Sequence, residues 1–396
     1  MYVLIGIYIF LVSLLCPILG LISGASYILF TNKNYKFILF NLILVIGYVG
    51  SFYLPTKAHD MYRYIGYMSV IPLSSVKNFF SQVYSQNPIS AYGLNGQQWP
   101  GSALLLYLTA KFGDYRILSA FTLALTYYVR LYAIKSTYEK SKVIHRLYLI
   151  IYMCAMIVTI KPLLALSVFR WYLAISILMF CAYLELDNNF KIRYLWLYAL
   201  AATFHPSAFM FIGLRIFSMI FSGEKKTRNI GIGITIIFGI ISIIAHNKVF
   251  GLLNGLFNHF DAYTVGTVSG MQSIETISYV LYFTLIIFKS VSLIKEANLI
   301  KEKHNALNYL VVLVVFNMLL MTLPIFDRII QYTVPVSLII IGKYSFNKNK
   351  WNFIDYLIPL TILLLGIIEM TVNSYVAFPQ LTQPILEILF LPIHFN

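Results

Sequence analysis

The chain has 396 residues, of which 60% are hydrophobic and only 11% charged. That excludes an ordinary soluble domain, where about a quarter of the residues are charged. The net charge of +15 sits mostly in short segments between apolar runs, the positive-inside pattern of a membrane protein and not the footprint of a nucleic-acid binder. Runs of about 20 apolar residues recur without the alternation of barrel strands, so the chain is predicted to be an all-α polytopic transmembrane helical bundle of about 11–13 membrane segments, some re-entrant or broken.

In chain order, a first span is expected over 2–30, kinked at Pro17. It lacks a basic n-region and reads as a span, not a cleaved signal peptide. Lys33 and Lys36 follow, then a second span over 37–54. Residues 55–100 are an expected outer-face loop with an interfacial helix in AHDMYRYIGYM. They end in SQNPISAYGLNGQQWPGS, rich in turn residues. Residues 102–112 are apolar but too short to cross. Further spans are expected over 116–134, 147–160, 163–184, 194–221, 230–245, 278–293, 307–323, 329–341 and 353–372, with a second outer-face loop over 246–274. The whole, 1–396, is taken as a single integral membrane domain. Cys16, Cys154 and Cys181 all lie in apolar runs, without metal-ligand or disulfide spacing.

Charge then orients the chain. The basic segments around Lys33/Lys36, Lys135–Arg146, Lys191/Arg193, Lys225–Arg228, Lys295–Lys303 and Lys343–Lys350 all fall on one side if two segments turn back. One is 102–112. The other is 194–221, which bends at His205-Pro206, where proline removes a helix hydrogen bond and biases the residue before it away from helix. The unusual polar residues then collect on the opposite, outer side: His59, Asp60 and Arg63; Asp114 and Arg116; Lys161 and Arg170; His205; Asp327 and Arg328.

Each group has a plain reading beside a functional one. His59, Asp60 and Arg63 share helix faces at spacings of three and four, among Tyr62, Tyr64 and Tyr67. They form either a sugar-binding surface or an aromatic belt with a local ion pair. A cation in an apolar helix, such as Arg170, costs roughly 2.5–3.5 kcal/mol at mid-membrane. Its guanidinium suits a phosphate fork, with Ser167 and Ala174 leaving room beside it; otherwise it snorkels to headgroups. His205 is either a general acid or base, a neutral hydrogen-bond donor, or a closure for groups that Pro206 frees. In PIFDRIIQYTVP, Asp327 shares a face with Gln331 and Arg328 shares one with Tyr332. Asp327 is a candidate base for a sugar hydroxyl and Arg328 a candidate diphosphate contact; the plain reading is a helix cap and a headgroup contact. No DxD pair, P-loop, HExxH or GxSxG occurs, and no cofactor is expected.

Three stretches, HDMYRY, FRWYLAISILMFCAYLEL with YLWLYALAATFHPSAFMF, and FDRIIQYTVP, together resemble the EpsG family of bacterial exopolysaccharide proteins, close to the Wzy-type repeat-unit polymerases. The middle stretch is the most specific. Trp171 and Pro206 depart from the family's usual pattern. The resemblance implies a GT-C-like fold and a metal-independent glycosyl transfer at the outer face of the bacterial inner membrane. A glycan on polyprenyl diphosphate would pass to a sugar hydroxyl of a new lipid-linked repeat unit, in O antigen, capsule or exopolysaccharide biosynthesis. Asp60, His205 and Asp327 are then the candidate catalytic groups. His59, Arg63, Arg170, Arg328 and Tyr332 would bind substrate and diphosphate. Membrane lipids, a chain-length regulator and a flippase are the implied partners, and no nucleic acid is. The leading alternative is a lipid-linked oligosaccharide transporter or flippase, which would need repeats and a charged path through the bilayer. No clear repeat is visible, and the inner-side spans are expected to bury few charges. An acyltransferase and a passive scaffold fit less well.

Overall fold

The computed structural model describes residues 2–31, 33–57, 59–71, 75, 77–79, 100–141, 146–188, 192–221, 228–234, 270–296, 301–320, 326–346, 353–372 and 380–393. The expected loop 246–274 and much of 55–100, apart from the interfacial helix, fall largely outside them. The described residues are helical but for turns and one isolated antiparallel bridge between Tyr53 and Leu381. The helices are α1 (Tyr2–Leu15), α2 (Pro17–Phe30), α3 (Tyr35–Ser51), α4 (Asp60–Val70), α5 (Pro100–Phe112), α6 (Arg116–Glu139), α7 (Arg146–Val158) and α8 (Pro162–Ser167). They continue as α9 (Phe169–Asp187), α10 (Leu195–Phe204), α11 (Ala208–Ile220), α12 (Gly270–Glu296), α13 (Lys301–Leu320), α14 (Phe326–Ser345), α15 (Phe353–Val372) and α16 (Ile385–Phe390). Among the described helices, α6 and α9 are by themselves long and apolar enough to cross a membrane.

The first expected span is instead a helical hairpin. Cys16 is extended (φ −152°, ψ 95°) and Pro17 opens α2, as suits a residue with no N–H to give and a preset φ. Gly6 of α1 lies on Phe37 and Ile38, and Gly24 of α2 lies on Ile38 and Leu42. Two positions on either side of Cys16 therefore meet the same stretch of α3, which requires the chain to fold back. Gly20 presses so closely on Ser13 that any side chain there would collide with it. Each arm has 14 residues, about 21 Å, short of a hydrocarbon core of about 30 Å.

The centre of the molecule is α6, α9 and α14, with α3, α7, α10 and α13 packed around them. The expected span 163–184 is broken at Val168 (φ −107°, ψ 54°), so Arg170 stands in the first turn of α9 rather than inside a longer helix. The expected span 116–134 runs on to Glu139 and carries Lys135 into the interior, where its Nζ faces the rings of Tyr35 and Tyr138. At His205-Pro206 the chain turns back, as the bent reading of 194–221 requires. Tyr198 early in α10 and Arg215 late in α11 both reach Glu185 near the end of α9, at 2.9 and 2.8 Å. Meanwhile His205, at the bend, lies against Trp171 at the start of α9.

These contacts define two ends. The Arg170 end holds Trp171, His205, Gln331 and the Lys161–Glu369 ion pair. The Glu185 end holds Arg215, Lys140 with Asp187 (2.6 Å) and Lys289 with Asp355. Both side chains of the Arg215–Glu185 and Lys289–Asp355 pairs are buried. The expectation of few buried charges at that end is therefore corrected. Tyr198, Ser218 and Ser345 hydrogen-bond to these pairs, which is how interior charge becomes tolerable.

Candidate functional site

The site at the Arg170 end begins with the turn before α4. His59 is the N-cap, extended at φ −95° and ψ 141°. Its Nδ1 accepts the Thr56 backbone N–H (3.2 Å) and stands 2.7 Å from the Tyr53 hydroxyl, with the two rings stacked. A backbone N–H can only donate, so Nδ1 is the unprotonated nitrogen and Nε2 carries the hydrogen. Burial lowers the His59 pKa, with the Asp60 charge opposing it, which favours the same neutral form. Asp60 opens α4 and pairs with Arg63 one turn on, with Arg63 largely exposed. Tyr53 is held by chain pairing: Leu54 N–H donates to Gln380 O and Thr382 N–H to Phe52 O, both at 2.8 Å.

Tyr64, one residue beyond Arg63, joins this cluster to α9. The Arg170 guanidinium lies over its ring at 5.3 Å from the centroid, and Phe169 meets the same ring edge-on at 4.8 Å. Arg170 is half-buried and turned toward protein. Trp171 comes next and is buried; it sits 5.0 Å from His205, centroid to centroid. His205 Nδ1 accepts the Ser207 backbone N–H at 3.3 Å, so here too the hydrogen is on Nε2. Both histidines thus carry their hydrogen on Nε2, His59 half-buried and His205 buried. The helix bend supplies the reason for the second: Pro206 and Ser207 form the turn whose free N–H needs the imidazole.

α14 completes the site. Asp327 is exposed and Arg328 half-buried in its first turn. Gln331, one turn further, accepts the Trp171 Nε1–H on Oε1 at 3.1 Å. Its backbone carbonyl accepts from Arg130 Nη2 at 3.3 Å. Tyr332 faces away from the surface, buried, with its hydroxyl 2.7 Å from that of Tyr309 and its ring 4.3 Å from Phe211. Lys161 pairs with Glu369 of α15 and also lies within electrostatic range of Asp327. Both line a half-open cleft with Thr159, Tyr279 and Gln331.

Of the residues singled out in the sequence, Asp60 pairs with Arg63, Arg170 lies over Tyr64 and His205 lies against Trp171, and the chain neighbours His59–Asp60, Arg63–Tyr64 and Arg170–Trp171 bring these three contacts into one region. Asp327 and Arg328 join it through Gln331 on their helix. Asp114 and Arg116 pair with each other at 2.8 Å, exposed at the start of α6. Tyr332 belongs to the interior. Sequence reasoning named Gln331 only as sharing a face with Asp327 and Trp171 only as a departure from the family pattern, and it passed over Arg130 and Glu369. Arg130 and Glu369 carry the signal that flagged Arg170, a solitary charge inside a membrane-length apolar run. Among the described residues, no three His, Cys, Asp or Glu side chains gather as a metal-ligand set.

A family model described as the EpsG family matches residues 76–383, more than half of the chain. No curated protein and no solved structure matches it.

Proposed function

The chain belongs to the EpsG family, a family of Wzy-type polymerases, and from that membership we propose that it joins polyprenyl-diphosphate-linked glycan to a sugar hydroxyl of a new lipid-linked repeat unit. What supports this reading is the grouping of the Arg63–Asp60 pair, Arg170 over Tyr64 and His205 against Trp171, which gathers cations, an imidazole and a half-buried carboxylate at one end of the bundle. In the reaction the bond from the sugar's anomeric carbon to the diphosphate oxygen breaks and one to the acceptor oxygen forms. The acceptor's proton passes to a carboxylate, and polyprenyl diphosphate leaves with its negative charge. Arg170 and Arg328 hold the diphosphate by guanidinium forks, and preorganised donors of this kind stabilise charge as it develops on a leaving group. The His205 and His59 Nε2–H groups add neutral donors. With both Nδ1 atoms occupied, the base is a carboxylate, Asp60 or Asp327, rather than an imidazole. Arg63 positions Asp60. No metal is required, because the cations supply the positive field.

The basic residues Lys36, Lys135, Lys140, Arg146 and Lys343 cluster at the Glu185 end, through contacts to Tyr132, Thr31, Asp187, Phe30 and Leu186. By the positive-inside rule this end faces the cytoplasm and the Arg170 end faces outward across the bacterial inner membrane. The polymer is then a surface polysaccharide. The buried ion pairs at the Glu185 end favour a second reading, a transporter moving the same lipid-linked sugar, since a path through the bilayer needs polar lining there. Arg170→Ala in the native host separates the two. Polymerisation predicts glycan stalled at one repeat unit on the outer surface. Transport predicts that the single unit never arrives there, and unchanged long chains refute both.

A further inference from the structure

The cleft beside α14 carries an assignment of its own. Its walls come from Val158 at the end of α7, from Thr159 and Lys161 in the link to α8, from Tyr279 of α12, from Gln331 of α14 and from Glu369 of α15. Three features decide what it takes. First, the Lys161–Glu369 pair leaves the wall with no net charge, so the cleft has no attraction for an anion such as a diphosphate. Second, Trp171 Nε1–H can only donate, which fixes Gln331 Oε1 toward it and leaves the carboxamide NH2 to the cleft that Gln331 lines. The cleft therefore offers an acceptor, Glu369, facing donors, Gln331 and Lys161. Third, the free space admits about one or two hydroxyl-sized groups, too little for a phosphate with its shell. Apolar walls at Ile330, Val334 and Ile362 flank the polar groups.

A sugar hydroxyl both donates and accepts, and it is neutral. Resting on the polymerase reading above, we propose that this cleft is a recognition subsite for the hydroxyl-bearing edge of an uncharged sugar of the lipid-linked substrate, with Glu369 accepting from it and the Gln331 NH2 donating to it. Lys161 is a positioning residue that holds the Glu369 carboxylate in place. Trp171 is another, since it alone determines which end of the Gln331 carboxamide is presented. Neither Arg170 nor Arg328 lines the cleft, so a sugar edge seated here leaves the arginines to the diphosphate.

Binding separates this subsite from the diphosphate site. The full chain in lipid nanodiscs is titrated with polyprenyl diphosphate and with polyprenyl diphosphate hexose, and both affinities are read by native mass spectrometry. The native protein is expected to prefer the hexose-bearing lipid by roughly tenfold or more, the worth of a hydrogen bond to a charged group. Glu369→Leu, Gln331→Glu, which keeps the acceptor for Trp171, and the neutral pair Lys161→Met with Glu369→Leu, which removes the acceptor without stranding a charge, should erase that preference. Affinity for the sugar-free lipid should be unchanged. Preference retained in all three variants, or absent from the native protein, overturns the assignment. If Arg170→Ala leaves the sugar-free lipid bound while Glu369→Leu still removes the preference, the diphosphate site is misassigned and the cleft stands.

Discussion

The Arg215–Glu185 pair tests how the chain turns back at His205. Both side chains are buried, and Glu185 receives one bond from each arm of the bend, from Tyr198 of α10 and Arg215 of α11. Arg215→Leu removes the cation and leaves a carboxylate inside the bundle with a single neutral donor. Stranding one member of a buried pair costs about 3–5 kcal/mol, whereas replacing both members with apolar groups is often neutral. Arg215→Leu should therefore destabilise the protein by about that amount, and Arg215→Leu with Glu185→Gln should recover most of it, since glutamine still accepts from Tyr198. Unfolding in mixed micelles, followed by steric trapping with tags on α10 and α13, gives the free energies. A double-mutant cycle with a coupling under about 1 kcal/mol would refute the argument, because residues sharing one network couple by up to about 3 kcal/mol. So would a double variant no more stable than Arg215→Leu.

Further outcomes follow from the site and the fold. His205→Gln, whose side-chain NH2 can stand where Nε2–H stood, should keep measurable polymer synthesis, whereas His205→Ala should lose about 10²-fold or more, the usual cost of one preorganised donor; equal loss in both would return the imidazole to the role of base. His59 has a pKa lowered by burial, so its neutral form is the one the fold favours. Stability from this contact is present above the unfolded value of about 6.5 and is lost as pH falls below it. Amide exchange at Thr56 through Tyr62 should accelerate on acidification, and His59→Asn should flatten that response; a flat native profile contradicts the tautomer assignment. The α1–α2 hairpin predicts that Tyr2→Cys and Lys33→Cys react with an impermeant maleimide from the same side of the membrane, and labelling from opposite sides restores a kinked single span. Gly366 lets α15 approach α7 so closely that a side chain would meet Val158, so Gly366→Leu should cost about 1–3 kcal/mol by overpacking, measured in the same micelles.

The sequence alone was sufficient for the class of protein. Apolar length and scarce charge force a helical bundle in lipid, since backbone groups there must be satisfied within each segment. The bend at His205-Pro206 was legible too, because proline acts locally and regardless of neighbours. Solitary polar residues in apolar runs, Arg170 and His205 among them, marked the candidate site. What could not be read is which charges meet. Glu185 with Arg215 and Lys161 with Glu369 are 30 and 208 residues apart in the chain, and composition says nothing of their pairing. The same holds for the first hairpin. A proline after Cys16 permits both a kink and a reversal, and the choice fell to packing, where Gly6, Gly20 and Gly24 let α1 and α2 close on each other and on α3. The tautomers of His59 and His205 were likewise beyond reach, because a backbone N–H settles them only once the turn around each ring exists. Local covalent constraints are written residue by residue; pairing and close approach are properties of the packed bundle, and only the tertiary structure decided them.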